Sequence, residues 1–330
     1  MNFVTLGRTG LTVSRFCFGV MSFGKEADEE MSGRLFNRCL EAGINFFDCA
    51  NTYSVGRAEE ILGRLTKGRR DKLVITSKVG FPMSDDPNDR GLSRRHIFQQ
   101  LEASLRRLGT DWLDLYFCHT QDHKTPVEET LRAMEDVVRQ GKVRHLGISN
   151  WPAWKIASAL GLAERRGWQP VQVLQPMYSL AKRTAEVELL PLAQAENLAV
   201  ISYSPLGGGI LTGKYLPGKA APEGRLNVNK MYANRYHDAV YQEIATRFLD
   251  YSQRVGVHPV TLAVAWVAAN PAITAPILGA RSVEQLEPAL AAADYQMSPE
   301  QWRDIAALTP PVPVATDRDE ERLGPSTLKK

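Results

Sequence analysis

The chain has 330 residues, of which 44% are hydrophobic and 23% charged, and its formal net charge is +3. This composition is typical of a soluble globular protein with ample material for a core. The small net charge gives no support for nucleic-acid binding, because the basic clusters are short and scattered along predicted helices. No apolar run reaches the roughly 18 residues that span a bilayer, and the N-terminus lacks a secretory pattern, so we expect a cytoplasmic protein without a membrane partner.

The chain opens with a predicted hairpin in which two short strands flank Gly7-Arg8-Thr9-Gly10. Apolar runs then alternate with amphipathic segments. The predicted strands are 15–18, 44–47, 73–76, 113–117, 143–148, 171–174, 198–202 and 275–278. The predicted helices are 28–42, 58–65, 93–108, 126–139, 151–166, 185–196, 239–255, 259–269, 283–292 and 299–308. A long segment, 204–238, follows the seventh strand, and the tail 309–330 is expected to pack as a loop.

Eight strands that alternate with helices, at a spacing of roughly 30 residues, imply parallel strands joined by helical crossovers. We therefore predict an α/β fold of the closed (β/α)₈ TIM-barrel type, formed by residues 1–330 as one domain, with the hairpin at 3–13 and the tail at 309–330. An open doubly wound sheet is the alternative. It is disfavoured because the chain has no G-x-G-x-x-G: Gly207 and Gly209 form the single G-x-G, and Thr212 occupies the third position.

The four cysteines predict neither a zinc site nor a disulfide framework. They are Cys17, Cys39, Cys49 and Cys118. None of them is in CxxC spacing, and each lies in or beside an apolar run. Reduced, partly buried thiols of a cytosolic protein are the interpretation that this pattern favours.

Polar and aromatic side chains follow successive strands where the apolar runs end. In a barrel of this type the active site forms at the C-terminal ends of the strands, so these side chains should be neighbours. They are Asp48, Tyr53, Lys78, His119, Ser149, Asn150, Gln175, Tyr203 and Arg281. A phenol is a poor acid near neutral pH because its usual pKa is about 10. Tyr53 becomes useful if a cation and a carboxylate lie beside it, and Lys78 and Asp48 are the candidates.

This constellation resembles the aldo-keto reductase superfamily, and the resemblance covers nearly the whole chain. It is carried by Phe47-Asp48-Cys49-Ala50-Asn51-Thr52-Tyr53, Thr76-Ser77-Lys78, Phe117-Cys118-His119, Gly147-Ile148-Ser149-Asn150, Ser202-Tyr203-Ser204-Pro205-Leu206 and Leu278-Gly279-Ala280-Arg281-Ser282. The stretch Leu211-Thr212-Gly213-Lys214-Tyr215 is similar to the branch that includes microbial reductases and potassium-channel β-subunits.

The resemblance implies an NADP(H)-dependent reduction of an aldehyde or ketone to the alcohol, or the reverse. Tyr53 would be the general acid that gives a proton to the carbonyl oxygen. Lys78, held by Asp48, would lower the pKa of the phenol. His119 would donate a hydrogen bond to the carbonyl oxygen and orient it. A buried Asp48–Lys78 ion pair that only stabilises the barrel is the alternative.

The resemblance also implies which residues bind NADP(H). They are Gly19, Val20, Met21, Asp48, Ser149, Asn150, Gln175, Tyr203, Ser204, Pro205, Leu206, Gly208, Lys214, Arg225, Gly279, Arg281 and Gln285. Tyr203 would stack on the nicotinamide ring. Arg281 suits the 2′-phosphate of NADP(H), because a guanidinium pairs in bidentate fashion with phosphate oxygens. Where many relatives carry Glu-Asn against the adenine, this chain has Pro288-Ala289.

Two other functions match parts of the pattern. A nucleotide-binding, redox-sensing subunit with little turnover is similar to the channel β-subunits, but the resemblance implies an altered histidine position there, and His119 is present. A metal-dependent hydrolase could use His119 and His123, whose spacing suits a helix. Residues 120–124 are predicted as loop, however, so we expect no metal. The expected partner is a small-molecule carbonyl or alcohol, bound by a monomer or homo-oligomer. Met21, Phe23, Phe81, Trp151 and Tyr178 are candidate pocket walls, with ordinary core or surface side chains as the alternative for several of them.

Overall fold

Eight parallel strands close into a barrel surrounded by helices in a computed structural model, which describes residues 1–216, 218, 221–316 and 318. An antiparallel hairpin precedes the barrel, so the predicted TIM barrel with its N-terminal hairpin is confirmed. The hairpin strands are β1 (Phe3–Thr5) and β2 (Thr12–Ser14). The barrel strands are β3 (Cys17–Gly19), β4 (Phe46–Asp48), β5 (Val74–Val79), β6 (Leu113–Cys118), β7 (Val143–Ser149), β8 (Val171–Gln175), β9 (Ala199–Ser202) and β10 (Ala275–Leu278).

Helices follow the barrel strands, and a second group of helices lies in the long segment after β9. They are α1 (Glu29–Glu41), α2 (Arg57–Thr66), α3 (Arg94–Leu108), α4 (Val127–Arg139), α5 (Ala153–Arg166), α6 (Leu189–Ala195), α7 (Arg225–Val228), α8 (Lys230–Arg235), α9 (Ala239–Val255), α10 (Pro259–Ala269), α11 (Val283–Leu290) and α12 (Pro299–Ala306). Side chains at Asp28 and Ser93 cap the N-termini of α1 and α3, as the sequence indicates. No helix in the described ranges is long and apolar enough to cross a membrane.

Two of the predicted elements have other bounds in the structure. The third barrel strand runs on to Val79, so Lys78 lies inside β5 rather than after it. A lysine can be buried there because a carboxylate on the neighbouring strand pairs with it. The predicted helix 185–196 is a short 3₁₀ turn followed by α6, which places Pro191 in the first turn, where its missing N–H costs nothing.

The barrel has an inner and an outer core, and the inner one confines the site to one end. Leu6 and Val13 of the hairpin pack with Phe46 and Phe117 inside the barrel, so the hairpin closes its N-terminal end. A Cβ at Gly147 would overlap the ring of Phe117, which therefore packs against bare backbone. Side chains fill the barrel interior from its N-terminal end, so a functional site can form only at the C-terminal ends of the strands.

The predicted tail begins in contact with the barrel. Arg183 donates hydrogen bonds to Ala306 O and to Thr309 Oγ1, at 2.9 and 2.8 Å. Residues 317 and 319–330 of the predicted tail, and residues 217, 219 and 220 of the segment after β9, lie outside the described residues.

Candidate active site

A buried lysine and a buried aspartate form the base of the site. β4 ends at Asp48, and β5, its parallel neighbour, carries Lys78. Lys78 Nζ lies 2.6 Å from Asp48 Oδ2, and both side chains are almost fully buried. Lys78 also donates to Cys49 O at 2.7 Å and to Tyr53 Oη at 3.3 Å. All three ammonium protons therefore have acceptors, one of which is the phenol oxygen.

The other oxygen of Asp48 is equally engaged. Thr76 Oγ1 and Gln175 Nε2 each donate to Asp48 Oδ1 at 2.8 Å. A buried ion pair is tolerated when further hydrogen bonds satisfy its remaining lone pairs, and this one meets that condition. The side-chain nitrogen of Gln175 is occupied by Asp48, which leaves its side-chain oxygen as an acceptor at the end of β8.

Tyr53 begins a 3₁₀ turn directly above this pair. Burial raises the pKa of Tyr53 well above its usual 10, and the charge of Asp48 adds to the effect. The net shift is upward, opposite to the lowering expected from Lys78, because burial is its largest cause. The phenol therefore keeps its proton at neutral pH. Since Oη accepts from Lys78, its own O–H is free to be donated.

His119 follows β6 and meets Tyr53 edge to face, with ring centroids 5.9 Å apart. The ring of Phe81 also packs against the His119 ring, with 4.6 Å between the centroids. Burial, reinforced by the charge of Lys78, lowers the pKa of His119 well below its usual 6.5. The imidazole is thus neutral, and its Nδ1 is buried without a partner among the described residues. A neutral imidazole has one N–H donor and one acceptor nitrogen.

Left-handed backbone conformations follow three of the strands that meet here. Ser54 and Val55 have φ of 48° and 53°, and Asn150 and Ser204 have φ of 60° and 61°. The conformation is unfavourable for non-glycine residues, above all for the β-branched Val55, whose side chain is 77% exposed. Strain of this kind persists where surrounding contacts impose it, and it is concentrated at functional sites.

A second hydrogen-bonded group ties the ends of β6, β7 and β9 together. Asn150 Nδ2 donates to His119 O at 2.8 Å, and Tyr203 Oη donates to Asn150 Oδ1 at 2.7 Å. Ser149 Oγ donates to Gln175 O at 2.8 Å. Four of these residues, all but His119, belong to the set that the resemblance assigns to NADP(H) binding. They fix one another here, so a ligand at Ser149 or Asn150 would exchange one of these bonds.

Three cations converge where the segment after β9 meets the start of α11. Burial lowers the pKa of Lys214, and the charges of Arg281 and Arg225 lower it further, so the three lie close together. None of them pairs with a carboxylate of the described residues. Arg281 Nη1 donates instead to Glu223 O at 3.0 Å, and its backbone N–H donates to Gln285 Oε1 at 3.3 Å.

The glycines before this cluster allow a close approach to the backbone. Gly207, Gly208 and Gly209 all have positive φ, which glycine adopts without strain. A Cβ at Gly208 would lie 3.2 Å from Tyr232 of α8. The cation cluster and the glycine turn together fit a phosphate-bearing ligand, because three cations without a carboxylate partner among the described residues lie beside a turn of positive-φ glycines.

The other residues expected at the cofactor site lie around this arrangement. Val20 follows β3, and its N–H donates to Asp48 O at 2.9 Å. Gly19 pairs in register with Asp48, and Met21 is half-buried beside them. Pro205 and Leu206 lead into the glycine turn, whereas Gly279 is exposed after β10.

Comparison with known proteins identifies the family. A family model described as "Aldo/keto reductase family" matches residues 15–310. The chain belongs to the aldo/keto reductase family. It is 40% identical over 321 residues, 94% of this chain and 96% of the relative, to an uncharacterized oxidoreductase of Bacillus subtilis (YrpG). It is 36% identical over 327 residues, 96% and 99%, to a rice protein named as a probable voltage-gated potassium channel subunit β. A Schizosaccharomyces pombe relative, provisionally named an aryl-alcohol dehydrogenase, is 32% identical over 342 residues, 94% and 96%.

Two of the suggested pocket walls of this aldo/keto reductase are wrong. Tyr178 is fully buried and stacks on Trp266 at 5.4 Å in the outer core, and Phe23 is also fully buried. Phe81, in contact with His119, stays a candidate wall. The sequence analysis missed Thr76, although it precedes Lys78 by two residues and therefore shares its face of β5. It also missed Tyr232, which no local pattern places near Tyr53.

Proposed function

We propose that this aldo/keto reductase reduces an aldehyde or ketone to the alcohol, or catalyses the reverse, with NADP(H) as the hydride donor or acceptor and Tyr53 as the general acid. The observation that carries the proposal is the buried chain from Asp48 through Lys78 to the phenol oxygen of Tyr53. An ion pair that served stability alone would not need a donor directed at the partly buried phenol of Tyr53. The edge-to-face contact with His119 supports the same role.

Tyr53 is the proton donor in this mechanism. Its pKa is raised by burial, so the phenol is in the acid form that reduction requires. Lys78 donates to Oη and stabilises the negative charge that develops there as the proton leaves. Asp48 holds Lys78 in place and keeps the ammonium charged.

His119 orients the carbonyl. Its ring is neutral, because burial and Lys78 lower its pKa, so it donates a hydrogen bond from N–H without competing as the acid. Two donors, Tyr53 Oη–H and the His119 N–H, would converge on the carbonyl oxygen. Phe81 packs edge to face on the same imidazole ring.

The chain offers a suitable site for NADP(H), which supplies the hydride to the carbonyl carbon when bound. Tyr203, fixed through Asn150, would stack on the nicotinamide, and the free oxygen of Gln175 would accept from its carboxamide. Lys214 and Arg225 would hold the pyrophosphate. Arg281 would hold the 2′-phosphate, which is why we propose NADPH in preference to NADH.

The thiols favour a reducing compartment, and we propose the cytoplasm. All four cysteines are free and buried. Burial raises the pKa of Cys118 to about 12, which keeps that thiol protonated and unreactive.

The test is NADPH consumption against a panel of aldehydes and ketones, with Tyr53→Phe in parallel. We expect turnover by the wild type and a loss of at least 100-fold in kcat for the variant, since general acid catalysis contributes about 10²–10⁴-fold. The variant should bind NADPH as tightly as the wild type in a fluorescence titration. Equal rates for the two proteins would contradict the role of Tyr53.

A redox-sensing subunit with little turnover is the second candidate. The observation that favours it is the 36–37% identity, over most of the chain, to plant relatives named as probable channel β subunits. That reading predicts tight NADPH binding without turnover of any carbonyl in the panel. The same experiment therefore separates the two functions.

A further inference from the structure

Arg235, the last residue of α8, is a guanidinium without a hydrogen-bond or ion-pair partner among the residues that the structure describes. Its one recorded contact is with the ring of Tyr232, 5.1 Å from the centroid. Two other half-buried arginines of this chain are engaged: Arg15 donates to three backbone carbonyls, and Arg183 pairs with Glu186. Arg235 and the similarly half-buried Arg225 differ from these two, because their N–H donors have no side-chain or backbone acceptor among the described residues.

Arg235 lies at the reacting end of the site. Tyr232, on which it stacks, is 4% exposed and is close enough to Tyr53 and Tyr203 to raise the pKa of each. The charge of Arg235 acts on Tyr203 in the opposite direction and partly offsets the effect of burial, which raises the pKa of Tyr203 to about 12. The next residue places this end of α8 beside the same strand end: the hydroxyl of Tyr236 lies 3.8 Å from Met177 Sδ, and Met177 pairs with Tyr203.

Arg225 stacks on the same ring at the same 5.1 Å but belongs to the other end. Burial lowers the pKa of the half-buried Lys214, and the charges of Arg281 and Arg225 lower it further. The phosphate-binding role is thus supplied without Arg235. The contact with the Tyr232 ring does not explain Arg235 either, since Arg225 already supplies a guanidinium on that ring.

We propose that Arg235 determines substrate specificity by pairing with an anionic group, carboxylate or phosphate, on the carbonyl substrate. This rests on the proposed function, because it assumes that a carbonyl is bound at Tyr53. A planar guanidinium matches both anions in bidentate geometry. The preferred substrate is accordingly an aldehyde or ketone that carries a negative charge a few bonds from its carbonyl carbon.

Matched substrate pairs test this. The carboxylate pair is 4-carboxybenzaldehyde and methyl 4-formylbenzoate, and the phosphate pair is 4-formylphenyl phosphate and 4-methoxybenzaldehyde. We expect a higher kcat/KM for the charged member of at least one pair. Arg235→Met, which keeps the apolar stem, should lower that value by about 10- to 100-fold, the range for charge-assisted hydrogen bonds, and leave the neutral member nearly unchanged. Arg235→Lys should restore part of the preference. The pair that responds identifies the anion.

Arg225→Met is the control, because it removes the matching stack on Tyr232. We expect Arg225→Met to weaken NADPH binding in a fluorescence titration and to leave unchanged the ratio of kcat/KM for the charged and neutral substrates. Arg235→Met should lower that ratio and leave NADPH binding unchanged. Equal use of both members of each pair by the wild type would overturn the proposal. So would weaker NADPH binding by Arg235→Met with an unchanged ratio.

A binding measurement tests the role of Arg235 even if the protein turns over none of these substrates. With NADP⁺ present, 4-(hydroxymethyl)benzoate should raise the wild-type Tm more than benzyl alcohol does, and Arg235→Met should abolish the difference. Turnover without charge discrimination would contradict the role of Arg235 alone. A Tm difference without turnover would support Arg235 and contradict the proposed function.

Discussion

The strand ends and the α7–α8 segment (residues 225–235) meet at one site but are built differently. On the strands, Asp48 and Lys78 have a partner for each polar atom and are almost fully buried. On α7 and α8, Arg225 and Arg235 have stacking contacts with Tyr232 and no carboxylate partner among the described residues. The groups that must hold a fixed geometry therefore lie on the barrel strands. The groups with free hydrogen-bond donors lie on the α7–α8 segment, where they are available to recognise a ligand.

The largest expected effect is that of Lys78→Met on stability. The substitution leaves the buried carboxylate of Asp48 without its cation, which costs about 3–5 kcal/mol in the free energy of unfolding. The double variant Asp48→Asn/Lys78→Met should recover part of that loss, because it removes the unpaired charge. Urea unfolding of the single and double variants measures both values, and reduction should fail in both.

Lys155→Met is the control for a buried lysine without a carboxylate. Its Nζ donates to Asp122 O at 3.3 Å and lies 4.6 Å from the centre of the Trp151 ring. We expect a clearly smaller loss there. A loss at Lys78→Met no larger than at Lys155→Met would mean that pairing with Asp48 contributes little, and that the strand ends are not fixed in the way argued above.

On the loop side, Arg281→Ala should affect nucleotide choice. The substitution removes the charge-assisted pair proposed with the 2′-phosphate, so the Kd for NADPH should rise about 10- to 100-fold while the Kd for NADH changes little. Fluorescence titration with both nucleotides measures the effect. Arg34→Ala is the control, because Arg34 is exposed and lies 3.9 Å from Glu284 of α11. Equal weakening of NADPH and NADH binding would show that Arg281 does not bind the 2′-phosphate.

The contrast between the two regions also explains what the sequence could predict. The barrel followed from its alternating pattern, and the strand-end residues followed from the rule that parallel strands present their C-terminal ends together. Asp48, Lys78, Tyr53 and His119 therefore meet as expected. α7 and α8 were predicted only as part of a long irregular segment, because four- and six-residue helices carry little periodic signal. The direction of the Tyr53 pKa shift also needed the structure, since it depends on burial that no spacing reveals.

One buried side chain of the barrel layer departs from the pairing found at the strand ends. His96 of α3 is fully buried, and neither ring nitrogen has a hydrogen-bond partner in the described part of the chain. Asp89 faces it, with Oδ1 3.4 Å from Nδ1. Asp89 also accepts from Gln100 Nε2 at 2.9 Å, and Gln100 Oε1 accepts from Asn51, two residues before Tyr53.

The smallest effect should come from this histidine, as a change in the pH dependence of stability. Burial lowers the pKa of His96 below 6.5, and the attraction of Asp89 only partly opposes it. Below pH 6.5 the unfolded chain therefore binds a proton that the folded chain does not, so stability falls with acid, by at most about 1.4 kcal/mol per pH unit for this group. His96→Leu should flatten that slope between pH 6.5 and 5 in urea unfolding. The lowered pKa of His119 contributes in the same direction and stays in both proteins. Parallel slopes for the wild type and His96→Leu would mean that Asp89 compensates the burial of His96. His96 would then count as paired with Asp89, and its contrast with the free guanidinium of Arg235 would be sharper.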